Sequence, residues 1–220
     1  MRVTKFEHAT MVLEKGGEAL VIDPGSFLSA TEFRRVAGIV VTHEHADHWT
    51  PEHLTRILAD NPGARVLGPA GVAAAIAASA ARTPSGDPVP VETVAAGETA
   101  EVGPFRLAFF GGRHAVIHSS IPVIDNLGVL VDEAFYYPGD SFAEPGVPVD
   151  VLAAPVGAPW LKISEAMDFV LAVAPRRAFG AHEMTLSVAG KTLGAQRLAW
   201  AVEQGGGSYA DLQPGEELEL

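Results

Sequence analysis

Thr42-His43-Glu44-His45-Ala46-Asp47-His48 directly follows the apolar, β-branched run Ile39-Val40-Val41, and puts five potential metal ligands, His43, Glu44, His45, Asp47 and His48, within six residues. Ile39–Val41 reads as a buried strand, and Pro51 marks the first turn of a helix beyond it. The cluster therefore stands at the end of a strand, where open α/β sheets place their sites. Residues two apart in an extended segment point the same way, so His43 and His45 can grip one ion together. Asp47 and His48 lie where the chain turns toward the helix and can face a second ion. Such a site needs partners from elsewhere, and three further strand ends each deliver one. His114 follows Phe105–Phe110 across Gly111-Gly112, Asp140 sits in Pro138-Gly139-Asp140-Ser141 after Phe135-Tyr136-Tyr137, and His182 follows Ala178-Phe179-Gly180-Ala181.

Around these points the chain alternates β-like runs with helical periodicity. Strands are expected at Thr10–Leu13, Ala19–Ile22, Gly38–Val41, Ala64–Leu67, Val91–Val94, Phe105–Phe110, Leu127–Val131, Phe135–Tyr137, Val149–Ala153 and Arg177–Gly180. Helices are expected at Ala30–Val36, Pro51–Ala59, Val72–Ala81, Ser164–Val173 and Leu193–Glu203, with Ser164 as a start signal and Gly205-Gly206-Gly207 as a stop. Arg82–Pro90, rich in proline, reads as an exposed loop joining two halves. Each half runs strands first and helices after. That order predicts two facing sheets with helices outside, both halves sharing one core, so residues 1–220 are expected to form a single domain.

Composition narrows the classes. With 220 residues, 48% hydrophobic and 19% charged, the chain is long and apolar enough to bury a substantial core. A net charge of -12 opposes polyanions, which makes nucleic acid an unfavourable partner. A nuclease stays open because bound cations reverse the local sign. Cysteine is absent, so any metal must sit on nitrogen and oxygen ligands. The N-terminus lacks the apolar stretch of a signal peptide, and no run is long enough to span a membrane. A cytoplasmic protein is the expectation, and a homo-oligomer is compatible with it.

The stretch from Thr42 to His48 resembles the signature of the metallo-β-lactamase superfamily, and His114, Asp140 and His182 fall in the order and approximate spacing of its later metal motifs. Asp23, in Val21-Ile22-Asp23-Pro24-Gly25, resembles the early aspartate motif of that family. The resemblance covers nearly the whole chain and implies a four-layer αββα sandwich. It also implies one ion on His43, His45 and His114, a second on Asp47, His48 and His182, and Asp140 bridging both. Asp23 then serves as a hydrogen-bonding group behind the ligands. His118 competes with His114 for the metal role, and His114 is preferred because it directly follows the strand and glycine pair. His118 becomes a candidate for substrate binding or proton donation. His8, in Phe6-Glu7-His8-Ala9-Thr10, is similar to the opening hairpin of the ascorbate-phosphate lactonase-like branch, where it would edge the site. Trp160, after a strand on the same side, is a candidate pocket residue with ordinary packing as its alternative. His53 reads as a solvated residue in its helix.

The implied chemistry is hydrolysis. Two ions about 3.5–4 Å apart would share a water, lower its pKa toward ~7 and so hold a metal-bound hydroxide at neutral pH. Asp47 would orient that nucleophile and accept its proton. The ligand types suit zinc first, with manganese, iron or nickel as alternatives. Lacking a cysteine ligand and a leader, the chain departs from true β-lactamases. It also lacks the glutathione-binding region of glyoxalase II relatives, the tRNA-binding arm of ribonuclease Z relatives and the flavin domain of flavodiiron relatives. A small-molecule phosphoester or lactone is the expected substrate. The alternatives are a mono-iron persulfide dioxygenase-like oxidoreductase, a nuclease of the same fold, and a metal-binding scaffold without activity.

Overall fold

Strand β3 (Glu18–Ile22) shows how the layers arise. Leu20 and Ile22 enter one apolar cluster while Ala19 and Val21 enter another, as the two-residue period of a strand requires. A strand buried on both faces carries a continuous apolar run, and this is why 19–22 and 39–41 show no polar alternation. The computed structural model describes residues 1–29 and 32–220.

In chain order, β1 (Arg2–Lys5), β2 (Met11–Lys15) and β3 form an antiparallel meander. Then β4 (Val36–Val40), α1 (Pro51–Asp60), β5 (Arg65–Gly68), α2 (Ala70–Ala78) and β6 (Val91–Thr93) extend it with parallel strands. The second half repeats the plan. β7 (Thr99–Val102), β8 (Phe105–Gly111), β9 (Leu127–Val131) and β10 (Phe135–Tyr137) are antiparallel. β11 (Val151–Pro155), α3 (Ile163–Val173), β12 (Arg177–Ala181), α4 (Val188–Gln204) and β13 (Ser208–Tyr209) continue in parallel. Finally β14 (Glu217–Glu219) returns to the first sheet and pairs antiparallel with β1. The sheet orders are β14-β1-β2-β3-β4-β5-β6 and β13-β12-β11-β10-β9-β8-β7.

The two sheets pack face to face. Val3, Leu13, Leu20 and Ile22 of the first meet Phe105, Phe109, Val129 and Phe179 of the second in one cluster. Leu54 and Ile57 of α1 and Val72 and Ile76 of α2 cover the outer face of the first sheet. Phe169 and Val170 of α3 and Leu198 and Val202 of α4 cover that of the second. The architecture is the expected αββα sandwich. Among the described residues no helix is long and apolar enough to cross a membrane.

Four expectations need correction. The helix expected over 30–36 begins outside the described residues; 32–35 are not helical, Arg35 has a left-handed φ of 57°, and Val36 already opens β4. α4 starts five residues earlier than expected, because Ser187 caps it by accepting the Gly190 N–H at 3.2 Å. α3 is capped at Lys162, so Ser164 lies inside its first turn. Arg82–Pro90 is mostly exposed, with Val89 buried, but it precedes β6 and lies within the first half; the halves join between β6 and β7. The strands β1, β7, β13 and β14 escape sequence reading, since each has two to four residues and β14 is Glu-Leu-Glu.

Candidate metal centre

Irregular chain at the ends of β3, β4, β8, β10 and β12 brings the candidate residues together, and glycines let the loops approach closely. A Cβ on Gly25 would stand 1.8 Å from the Asp47 carbonyl oxygen, so the turn carrying Asp23 lies flush against the ligand loop. Gly139 takes a φ of +63°, and a Cβ there would meet Asn126 Oδ1 at 2.3 Å. That same oxygen accepts the Asp140 N–H at 2.8 Å, while Asn126 Nδ2 donates to the Pro138 carbonyl at 2.9 Å. Fully buried Asn126 thus shapes the turn that aims Asp140. Nothing in the sequence around Asp125-Asn126-Leu127 signals this role.

Two groups of metal-capable atoms result. His43, His45 and His114 form one, with His43 Nε2 3.1 Å from His45 Nδ1. His8, Asp47, His48 and His182 form the other, and His43, His48 and Asp140 make a third set that links them. Asp140 stands between: its Oδ2 is 3.4 Å from His114 Nε2, and its Oδ1 is 3.1 Å from His48 Nε2 and 3.2 Å from His182 Nε2.

Bonds on the far side of each ring fix which nitrogen faces inward. His48 Nδ1 lies 2.6 Å from Asp23 Oδ2, His114 Nδ1 2.5 Å from the Ala115 carbonyl, and His182 Nδ1 2.7 Å from the Gly157 carbonyl. Each Nδ1 donates to its oxygen and leaves Nε2 turned to the centre. Asp23 is completely buried and also accepts from the Thr42 backbone N–H at 2.8 Å and the Thr42 hydroxyl at 2.7 Å. It lies behind His48. Trp160 Nε1 donates to Asp140 Oδ2 at 2.7 Å.

His48 Nε2, His114 Nε2, His182 Nε2 and Asp140 Oδ1 are buried and, despite their short separations, none is aligned for a hydrogen bond. Buried polar atoms are normally satisfied. Four that converge without partners, all nitrogen or carboxylate oxygen, fit divalent cations in both donor type and arrangement.

Burial, with His48 nearby, holds His43 well below its ordinary range, and burial with His114 lowers His45, so both offer neutral lone pairs. His48 and His182 go the other way. Burial opposes their charge, but Asp140, joined by Asp23 at His48 and Asp47 at His182, outweighs it. Asp47 and Asp140 lie below the usual carboxylate range: burial is overcome at Asp47 by its close contacts with His182 and His8, and at Asp140 by the charges of His48 and His182. The His182 imidazole is pushed up to about 9. A folded pKa above the unfolded value of about 6.5 contributes stability that is complete below ~6.5 and lost as pH rises through the folded value. Thermal unfolding of chelator-treated protein should therefore show a melting temperature that falls between pH 7 and 10. The fall should shrink in His182→Ala, and an equal fall in both proteins would contradict it.

The tentative substrate residues separate. Trp160 is only 9% exposed and turned toward Asp140, packing on Phe142 and His114 rather than lining an opening. His118 is exposed, with Nδ1 2.7 Å from Ser120 Oγ, and belongs to neither group. His8 is buried beside Asp47, its Nε2 3.2 Å from Oδ2. His53 stays in the first turn of α1, 3.0 Å from Arg56.

A family model described as "Beta-lactamase superfamily domain" matches residues 2–182. Protein Rv0786c of Mycobacterium tuberculosis is 37% identical over 189 residues, which cover 83% of this chain and 84% of that protein. Among solved structures, Igni18, a novel metallo hydrolase from Ignicoccus hospitalis, superposes with a TM-score of 0.71 at 19% identity, covering 100% of this chain and 98% of that one. CmlA, a diiron beta-hydroxylase from Streptomyces venezuelae, gives a TM-score of 0.71 at 17% identity; all of this chain is covered, but it spans only 54% of that longer enzyme. At these identities the two structures share the fold with this chain.

Proposed function

Because the chain belongs to the metallo-β-lactamase superfamily, we propose that it is a metal-dependent hydrolase that cleaves an ester-type bond, in a phosphoester or a lactone, of a small molecule at a dinuclear site. The observation that carries this reading is Asp140, whose two carboxylate oxygens face different groups of nitrogens. His43, His45 and His114 would hold one ion and Asp47, His48 and His182 the other, with Asp140 shared; zinc is the ion we favour. Bound there, such ions would supply Lewis acidity and lower the pKa of a water toward ~7.

The side chains do the rest. Asp47 keeps 29% of its side chain exposed while His8 and His182 hold Oδ2. It can therefore orient an incoming water and take its proton. Trp160 and Asn126 fix Asp140 from behind, so its geometry does not depend on substrate. The two halves act as one domain in this reading, since the site takes residues from both.

Asp47→Ala should lower hydrolysis by about 10²-fold or more, the usual worth of a general base. Activity would be screened on phosphodiesters, phosphomonoesters and lactones, and full activity in that variant would sink the assignment. Elemental analysis separates the main alternative, since the same donor types accept iron. One iron per chain would favour an oxidoreductase of this fold; two ions per chain exclude the mono-iron reading.

A further inference from the structure

Phe6-Glu7-His8-Ala9-Thr10 links β1 to β2 in a tight turn, closed by Phe6 N–H to the Thr10 carbonyl at 2.9 Å. His8 takes a left-handed φ of 61° there and is 1% exposed. Its ring packs against Phe27 and His182, with centroids at 4.5 and 3.8 Å. Its carbonyl accepts the His182 N–H at 2.8 Å. The ring is thus closed off from solvent, and the backbone is engaged.

By distance His8 could be a ligand, since its Nε2 groups with Asp47, His48 and His182. Its other nitrogen argues otherwise. Nδ1 accepts the Met184 backbone N–H at 3.1 Å. A ring nitrogen that accepts a hydrogen bond carries no proton, so the ring proton sits on Nε2. Nε2–H faces Asp47 Oδ2 at 3.2 Å. A protonated nitrogen donates to a carboxylate and has no lone pair for a cation.

We propose that His8 is a positioning residue: its Nε2–H holds the Asp47 carboxylate in the orientation that receives the second ion, while His8 itself binds neither ion nor substrate. This rests on the dinuclear reading above. Met184 follows His182, so the chain segment that carries one ligand also sets the tautomer of the residue that orients another. Two of the second ion's ligands, Asp47 and His182, 135 positions apart (182 − 47), are tied through one imidazole.

The test is a zinc titration by calorimetry on the whole chain, comparing the unmodified protein with His8→Asn, His8→Gln and His182→Ala. Asparagine tolerates the left-handed backbone but stops short of Asp47. The affinity that His182→Ala abolishes should fall roughly 10–100-fold in His8→Asn, as for other groups that orient ligands, with the other one unchanged. His8→Gln, whose longer amide can donate to Asp47, should recover most of that loss. An affinity in His8→Asn equal to that of the unmodified protein would overturn the proposal, as would a loss as complete as in His182→Ala, which would make His8 a ligand. A glutamine variant no better than asparagine would also count against it. If the unmodified chain binds fewer than two ions, the dinuclear reading fails first and takes this role with it.

Discussion

Asp140→Asn should empty the centre of ions and silence hydrolysis while leaving the fold in place. The Trp160 indole N–H, 2.7 Å from Oδ2, demands an acceptor, so the asparagine oxygen must face it. The new NH₂ group then points at His48 and His182, at the 3.1 and 3.2 Å positions now held by Oδ1. It occupies the two lone pairs with hydrogen bonds and removes the negative charge the ions require. Loss of affinity should exceed the ~10–100-fold seen for outer partners, because a direct ligand is lost. Elemental analysis after dialysis, together with the melting temperature, checks this; two retained ions and near-full turnover would refute the shared role of Asp140. The variant should also flatten the pH dependence of the ion-free protein, since Asp140 is the leading influence that keeps His48 and His182 charged.

Lys5→Met should cost about 3–5 kcal/mol of folding stability, the usual penalty for stranding one partner of a buried ion pair. Lys5 and Glu183 are 2% and 8% exposed and 2.8 Å apart, and Glu183 Oε2 already lacks a partner. With the ammonium gone, the whole carboxylate is left without compensation in the interior. Replacing both, as Lys5→Met with Glu183→Leu, should recover most of the loss, because a buried pair often gives way to apolar residues at little net cost. Denaturant unfolding measures both variants. A loss below about 1 kcal/mol in the single variant would show that water reaches the pair, as at exposed salt bridges.

The fold was legible because its strands are buried on both faces, so continuous runs such as 39–41 and 127–131 stand out from their Gly, Pro and Asp borders. Edge strands were not. β14 has one partly buried side chain between two exposed glutamates, and its placement depends on pairing with β1, at the other end of the chain. The same division holds at the site. The ligand candidates announce themselves through residue type and position at strand ends. What orients them does not: Asn126 acts through a turn, Trp160 through one N–H, and His8 through a tautomer set by a backbone amide more than 170 positions away (184 − 8 = 176). Lys5 and Glu183 carry no mark of burial in the sequence, since only tertiary packing buries them.

The pairing of β14 with β1, and the bond of Lys5 to Glu183 across 178 positions, also bear on the order of events in folding. Contacts so distant in sequence form slowly, because a long loop must close before anything rewards it. His43 and His45 are neighbours from the start, whereas His114, Asp140 and His182 reach them only when both sheets have docked. An ion met by the unfinished chain finds only the local cluster from His43 to His48, without His114, Asp140 and His182. The full set of donors thus comes together only late in folding, once the apolar layers have assembled.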